Sequence, residues 1–467
     1  GEEGTAKINA GFTTTIKRPS KLPNKLDSYD ALMARNATIE NELPITPTES
    51  WEYITPQSEI EKYRDPDGTT INSQGEELLN SERYPNVDWQ DELFKNQAIS
   101  YNGNLNISGG SKFVKYYAAA DYVYESDLMR IFDNGRGYKS GYNYQRINAR
   151  SNLDFTLTKS TIFRVNLYGS LGIKKAPHAN AGDTWQEGQR WAGAYNIAPD
   201  VFVPKYADNS WGYYPQVSNV TNSAQNLSIS GVAKTTTNTI TTDFILEQKL
   251  DFITKGLSFR GNVSLDNTFK ETGRGVADDF NDSQQKWIDP KTGQVYKRKE
   301  IDQATGLDWV ETTEWSSQAG SVSDNDTFRK LYYQLQFNWA RDFDLHNLTV
   351  MAMFSRNQQA TGTGIPSYRE DWAARVTYGW NKRYNVELNG SYNGSEKFSE
   401  DNRFAVFGSG ALGWTISEEN FFSFLRENHY IDMLKVRASL GVTGNDNTSN
   451  FQSFLYMDEW AVGGTTK

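Results

Sequence analysis

Residue types that most often carry catalysis or bind metals are few and scattered in this chain of 467 residues. The three histidines, His178, His346 and His429, stand far apart, and none has the nearby second histidine of a zinc site or an HExxH motif. The sequence also has no Gly-x-Ser-x-Gly elbow and no phosphate-binding loop. We therefore predict no catalytic residues, no metal site and no cofactor, and we interpret the histidines as solvated loop or turn residues.

Acidic residues cluster at four places without forming a recognisable site. The stretches DPDG (65–68) and DND (324–326) carry oxygens of the calcium-binding type, but neither is followed by the spaced glutamate of an EF-hand. Because Pro, Asp and Gly favour turns, we interpret both as turns. The paired glutamates at 76–77 and 418–419 are expected to be solvated.

The best binding candidate is a set of six aromatic residues in the segment 185–214, which also contains prolines, glycines, amides and carboxylates. They are Trp185, Trp191, Tyr195, Trp211, Tyr213 and Tyr214. Aromatic faces can stack on sugar rings or on peptide side chains, and neighbouring polar groups can supply hydrogen bonds. The alternative is that these aromatics hold a long loop together as a small core, or contact a partner that acts as a lid.

The elements that would position such a loop are visible in residues 331–340, LYYQLQFNWA. Odd positions are apolar or aromatic and even positions are mostly polar, which predicts a β-strand with two different faces. The pattern recurs, in strong or weaker form, at 5–13, 97–109, 113–124, 147–155, 162–171, 240–250, 257–265, 348–356, 372–380, 384–392, 404–416, 434–442 and 451–456. About 14 strands result, and many reach the length of about 9–11 residues that a membrane strand needs.

Connections between these strands differ in length at the two ends of the predicted meander. Long gaps near 17–96, 174–237 and 271–327 fall at one end, and nearly all short turns fall at the other. Outer-membrane barrels have this asymmetry, with long outer loops and short periplasmic turns. The exception is 417–431, a longer segment on the short-turn side.

Composition narrows the classes of function. A net charge of −10 argues against a nucleic-acid partner, which would need a basic surface. No stretch approaches the roughly 18 apolar residues of a membrane helix. The absence of cysteine decides nothing by itself. A soluble carbohydrate-binding or hydrolytic β-protein and a passive porin remain alternatives, because soluble sandwiches and propellers also have alternating strands.

Three stretches resemble SusC/RagA-type TonB-dependent outer-membrane transporters. Residues 88–128 resemble the first hairpin of the family's barrel, including the Asp-Trp pair at 88–89 and the SGGS turn at 108–111. Residues 142–160 resemble its Arg-x-Asn-x-Arg-x-Asn-Leu-Asp strand. The most specific match is RFAVFGSGALGWTISEENFF (403–422), followed by LKVRASLGVTGND (434–446).

The resemblance implies an all-β fold, a transmembrane antiparallel up-and-down β-barrel. Residues 1–467 would be an incomplete barrel domain, about 14 strands of a 22-stranded barrel, with the plug domain and the last strands outside this chain. The expected function is import of oligosaccharides or peptides across the outer membrane of a Gram-negative bacterium, without enzymatic activity. Expected partners are a SusD-like surface lipoprotein, membrane lipid and the TonB complex, which would contact a region absent from this chain.

A membrane barrel also predicts which side chains face lipid and which face the lumen, because Arg or Lys on the lipid face costs about 2–4 kcal/mol near the midplane. The residues predicted to face the lumen, where the resemblance places the plug, are Arg146, Asn148, Arg150, Asn152, Asp154, Gln334, Gln336, Asn338, Lys435 and Arg437. Those predicted to face outward are Leu331, Tyr333, Leu335, Phe337 and Trp339.

Overall fold

A computed structural model describes residues 3–42, 44–45, 53–132, 134–178, 184–215, 220–278, 283–298, 316–427, 430–446 and 456, without the side chains of 184–187, 189–190 and 298. Thirteen long strands form its main sheet. They are β1 (Gly4–Lys17), β2 (Ala98–Gly110), β3 (Val114–Ser126), β4 (Asn143–Thr156), β5 (Thr161–Pro177), β6 (Gly231–Lys249), β7 (Leu257–Ala277), β8 (Phe328–Phe343), β9 (His346–Thr361), β10 (Ser367–Trp380), β11 (Tyr384–Ser395), β12 (Phe404–Thr415) and β13 (Lys435–Gly441).

These strands pair in chain order from β1 to β13, and every pairing is antiparallel. The prediction of an up-and-down antiparallel sheet is confirmed, and thirteen of the predicted strands are present. The fourteenth, 451–456, lies outside the described residues except for Tyr456. We call this sheet the wall.

The wall has one apolar and one polar face, as alternation along each strand requires. In β8, Leu335 and Phe337 are 45% and 47% exposed on one face. On the other face, Gln334 donates to Gln336 and Gln336 donates to Asn338, each at 2.8 Å. Large apolar side chains on the wall are thus mostly exposed, so their face is not covered by any part of the described chain.

Aromatic residues mark both ends of the apolar face. In β10, Trp372 and Trp380 lie eight residues apart, and in β11 Tyr384 and Tyr392 have the same spacing. Eight residues span about 27 Å along a strand. Trp372 packs on Phe354 with ring centroids 4.5 Å apart, and Trp380 stacks on Tyr384 at 5.6 Å. These positions resemble the two aromatic girdles that border the lipid-facing band of a membrane barrel.

Short turns join the strands at one end, and longer segments join most of them at the other. The segment after β12 is the exception on the short-turn end, and contains two 3₁₀ turns, Ile416–Glu418 and Asn420–Phe422, and the helix Ser423–Glu427. Three helices of seven or more residues lie in the long connections: α1 (Ser28–Glu42), α2 (Thr184–Asn196) and α3 (Ser223–Ile229). In the described part of the chain, none of the helices is long and apolar enough to cross a membrane.

Shorter elements complete these connections. Helical turns lie at Gln57–Ile60, Glu61–Arg64, Asn80–Arg83, Trp89–Leu93 and Glu400–Asn402. Thr69–Ile71 and Glu77–Leu79 form a hairpin, and Trp211–Gly212, Gln285–Ile288 and Val295–Arg298 form a three-stranded sheet. Ser316–Gln318 and Ser321–Val322 pair with β7 beyond the start of β8.

The long connections pack together into one layer with its own hydrophobic core. Trp89 comes from the segment after β1, Met129 from that after β3, Phe202 from that after β5, and Trp287 from that after β7. We call the described parts of 18–97, 127–142, 178–230 and 278–298 the loop layer. A second, separate cluster packs Leu32 of α1 with Ile60, Tyr63 and Tyr84.

Candidate functional site

Three of the six aromatics predicted to bind substrate belong to the loop-layer core. Trp211 is only 8% exposed and packs in the same cluster as Phe202 and Trp287. Tyr213 and Tyr214 pack against this cluster, and the Tyr214 ring meets Trp287 edge-on at 5.6 Å. For these three residues, the structure matches the alternative that the aromatics hold the loop together.

Two others, on α2, present an accessible aromatic surface. Trp191 and Tyr195 are 37% and 43% exposed, and both rings rest on Phe94, at centroid distances of 5.4 and 6.1 Å. Phe94 is itself buried, so it holds the two rings in place from beneath. The sixth residue, Trp185, lies in α2, but its side chain is outside the described residues.

A cavity of about 420 Å³ lies beside Trp191, where strand ends meet the loop layer. Lys17 and Glu125 line it and form an ion pair at 2.8 Å. Tyr144 and Lys174 also line it. An aromatic ring beside charged and hydroxyl groups can contact both the flat and the polar parts of a sugar or peptide.

A buried lysine joins three connections of the loop layer. Lys286 donates to Glu82 at 3.3 Å and to Asp208 at 3.1 Å, and its ammonium group lies 4.3 Å from the centre of the Tyr206 ring. Burial acts to raise the pKa of Asp208, but hydrogen bonds from Ser210 and Lys286 outweigh it and lower this pKa to about 2. The carboxylate is therefore charged at neutral pH and pairs with Lys286.

A second polar link joins α1 to the segment after β5. Arg35 donates two hydrogen bonds to the Asp200 carboxylate, at 2.8 and 3.2 Å. The Asp200 side chain is only 9% exposed. Bidentate pairing of this kind fixes orientation as well as distance, so it ties the position of α1 to the core beneath α2. Neither this pair nor Lys286 was predicted from the sequence, because the partners are far apart in the chain.

Some of the β4 residues predicted to face the lumen form hydrogen bonds or ion pairs with residues of neighbouring strands. Asn148 donates to Asp121 at 2.8 Å and accepts from Tyr168 at 3.3 Å. Asp154 lies 3.6 Å from Arg164.

The other predicted lumen-facing residues share the polar face with these groups. Along β4 they are Arg146, Arg150 and Asn152, and along β13 they are Lys435 and Arg437. The Nε of Arg146 is buried and makes no hydrogen bond within the described chain. The polar face therefore carries hydrogen-bonding groups that have no partner within the described residues.

The histidines and acidic stretches form no common site in the described residues, but Glu419, which was expected to be solvated, has a side chain that is only 12% exposed and accepts hydrogen bonds from Tyr384 and Trp414. Nδ1 of His346 lies 2.6 Å from the Tyr378 hydroxyl, and His429 is outside the described residues. The 65–68 stretch forms a turn in which the Gly68 amide donates to the Asp65 carbonyl. In the described ranges, no group of three or more His, Asp or Glu side chains could hold a metal ion.

Comparisons with known proteins agree with this architecture. The chain is 26% identical over 412 residues to TonB-dependent receptor P3 of Formosa agariphila, and 24% identical over 422 residues to TonB-dependent receptor SusC of Bacteroides thetaiotaomicron. Each alignment covers 81% of this chain and 36% of the relative. The resemblance to SusC/RagA-type TonB-dependent receptors is confirmed.

Solved structures of the RagAB peptide importer share the fold of this chain. Its closed-closed state matches with a TM-score of 0.54 at 14% identity, covering 96% of this chain and 48% of the importer chain, and its open-open state matches with a TM-score of 0.53 at 15% identity, covering 97% and 48%. The wall thus shares the fold of the TonB-dependent receptor barrels among its structural neighbours. No family model matches. The chain spans about a third of the length of the curated relatives it matches.

Proposed function

We propose that this chain is the barrel portion of an active transporter that imports oligosaccharides or peptides across the outer membrane of a Gram-negative bacterium. The observation that carries the proposal is the uncovered apolar face of the wall, bordered by aromatic residues at both ends. In water, such a face would drive aggregation, whereas in a bilayer it meets lipid. This argues against the soluble alternative.

The polar face would then line the lumen. The ladder Gln334–Gln336–Asn338 and the ion pair Asp154–Arg164 supply hydrogen-bonding groups along it. A plug domain from another part of the protein would form hydrogen bonds with the unpartnered groups of this face, including the Arg146 Nε. Passage of substrate would require plug movement driven by the TonB complex. This coupling distinguishes the proposal from a passive porin.

The loop layer would capture substrate at the outer end of the barrel. Trp191 and Tyr195 offer exposed rings held by Phe94, beside the 420 Å³ cavity. A SusD-like lipoprotein would cover this end, so that substrate is enclosed between the two proteins. Glycan and peptide are both compatible with a site that combines aromatic, amide and charged groups.

Membrane placement is tested by fractionating cells that make the full-length protein. We expect it in the outer-membrane fraction, released only by detergent, with gel mobility that changes on heating. Recovery of the intact protein in the soluble fraction without detergent would contradict the proposal.

Transport is tested by growing three strains on a mixed pool of oligosaccharides and casein peptides: wild type, one lacking this protein and one lacking TonB. Some compounds that the wild type consumes should remain in the medium of both deletion strains, and these should be the same compounds in the two strains. Trp191→Ala/Tyr195→Ala should slow uptake of these compounds, whereas the matched change Met33→Ala on the surface of α1 should not. Complete consumption by the strain lacking this protein would contradict the function.

A further inference from the structure

Three cations form a row across neighbouring strands of the wall. Lys175 of β5 is directly opposite Lys234 of β6, and Lys234 is directly opposite Arg274 of β7. Side chains directly opposite each other in an antiparallel pair have Cβ atoms about 4.5–5.5 Å apart, and like charges at such positions are destabilising. We call Lys175, Lys234 and Arg274 the basic row.

The basic row is not neutralised by the described chain. Glu271 pairs with Arg274 at 2.5 Å, and among the described residues it is the only acid within ion-pair distance of the row. The short strands that pair with β7 beyond this point, Ser316–Gln318 and Ser321–Val322, bring no charged side chain. Three cations and one acid leave an excess of two positive charges.

Other charges on the wall are arranged differently. On the polar face, Arg164 lies 3.6 Å from Asp154 and 2.5 Å from Glu247, and Arg375 pairs with Glu387 at 3.0 Å. Opposite charges meet at each of these places. The basic row differs from these three ion pairs, and an anion from outside the chain would supply the missing negative charge.

The position of the row indicates what kind of anion could reach it. Alternation places Lys175 on the apolar face of β5, in line with Phe163, Leu167, Leu171 and Ile173. Lys175 is twelve residues from Phe163, which lies at the short-turn end. Since a membrane strand needs about 9–11 residues, Lys175 follows directly after the lipid-facing part of the strand. At that depth, a lysine can extend its ammonium group towards lipid head groups.

The neighbouring strand gives the same depth independently. Lys234 is twelve residues from Leu246, and Phe244 and Ile240 lie between them on the same face. All three of these apolar residues are exposed. The row thus lies at the loop-layer end of the apolar face, at the level of the head groups of the outer leaflet.

We propose that the basic row binds a phosphate group of an outer-leaflet lipid. Its cations would donate charge-assisted hydrogen bonds to the phosphate oxygens, and the acyl chains would lie along the apolar residues of β5 and β6. The inference rests on the proposed membrane placement, but it does not depend on what is imported. Alternation places the row on the apolar face, and Lys175 also lines the cavity beside Trp191.

The test uses the full-length transporter, purified and stripped of lipid in detergent. Diphosphoryl lipid A, the same lipid with both phosphates removed, and inorganic phosphate are added separately, and bound lipid is counted by native mass spectrometry. We expect diphosphoryl lipid A to bind and to raise the melting temperature. Lys175→Gln/Lys234→Gln should weaken this binding by about tenfold or more, since each lost contact is charge-assisted.

Two variants separate the row from general charge effects. Lys175→Arg/Lys234→Arg keeps the charge and should bind like the wild type. Lys159→Gln/Lys255→Gln removes two exposed lysines from the short-turn end and should also leave binding unchanged.

Three results would overturn the proposal: equal binding of the dephosphorylated lipid, unchanged binding to Lys175→Gln/Lys234→Gln, or a full stabilising effect from inorganic phosphate alone. The last result would assign the row to a free anion. A transporter that fails to fractionate with membranes would instead contradict the proposed function, so the two failures can be told apart.

Discussion

The wall and the loop layer are built from one chain but bury their apolar residues in opposite ways. In the loop layer, large side chains such as Trp89, Phe202 and Leu227 are almost fully buried. In the wall, residues of the same chemical type, such as Leu335 and Leu388, are about half exposed. Most of the buried hydrophobic residues lie in the loop layer. The loop layer therefore buries its apolar side chains as a protein in water does, whereas the wall exposes them as a protein surrounded by an apolar solvent does.

Polar groups differ between the two regions as well. In the loop layer, buried charged side chains have polar partners, as when Arg83 donates to the carbonyls of Pro290 and Lys291. On the polar face of the wall, residues of neighbouring strands form ion pairs such as Arg164 with Asp154 and Arg375 with Glu387. Burial of an unpartnered charge is costly in both regions. The two regions place partners beside their charges differently, through contacts between separate connections in the loop layer and through strand register in the wall.

The largest effect is expected from removing an aromatic anchor of the loop layer. Trp89 is 1% exposed and meets Phe202 edge-on at 5.2 Å. Trp89→Ala should destabilise the loop layer by about 3–5 kcal/mol, because it leaves a cavity among residues from several connections. Hydrogen exchange of the full-length protein should speed up in the loop layer and stay unchanged in β8–β11. The exposed residue Met33 on α1 provides the control, Met33→Ala.

Equal loss of protection in β8–β11 would show that the two regions are one cooperative unit. In that case the wall and the loop layer would differ in the environment of their apolar residues but not in how they unfold. Separate loss would make the loop layer an independent folding unit that rests on the barrel.

A charge placed on each face of one strand compares the two sides of the wall. Val376 lies midway between Trp372 and Trp380 on the apolar face, and Thr377 is the next residue, on the polar face. Val376→Arg should destabilise the barrel by about 2–4 kcal/mol in a bilayer, the value expected near the membrane midplane. Thr377→Arg should cost much less, since it lies opposite Glu387.

Both variants are measured by unfolding of the full-length protein in lipid vesicles, followed by heat-modifiable gel mobility. A larger cost for Thr377→Arg than for Val376→Arg would reverse the assignment of the two faces. It would also remove the basis for the lipid-binding row.

The wall could be predicted from the sequence because its signal is local. Alternation in stretches such as 331–340 requires no knowledge of the rest of the chain, and the strands it predicted are present. The structure of the loop layer could not be predicted, since its core gathers Trp89, Met129 and Trp287 from separate connections with no common period. The sequence predicts only that these connections are long, whereas the structure shows that they contain α1, α2 and α3.

One of these helices had a signal that could have been used. The Asp30 amide donates to the Asp27 side chain at 2.8 Å at the start of α1, and Leu32 and Ile39 are buried seven residues apart on one face. A capping residue followed by that spacing is typical of an amphipathic helix. The basic row offered no such signal, because Lys175 and Lys234 become neighbours only through strand pairing.

The smallest effect is expected from acid, and it should appear in the loop layer. Asp208 has a pKa near 2 in the folded protein, against an ordinary value of 3.8. Since its folded pKa is lowered, its stabilising contribution is fully present above about pH 4 and is lost as the pH falls towards 2. Pepsin cleavage within the loop layer, normalised to cleavage of the unfolded chain at the same pH, should therefore rise over that interval.

Asp208→Asn isolates this contribution from other carboxylates. The variant leaves Lys286 with Glu82 as its remaining acidic partner, so cleavage should already be faster at pH 5 and should rise less steeply below pH 4. Asp67→Asn, in the exposed turn at 65–68, should behave like the wild type. If Asp208→Asn also followed the wild-type curve, the bridge through Lys286 would contribute little to joining the connections, and the apolar core around Trp89 would account for the cohesion of the loop layer.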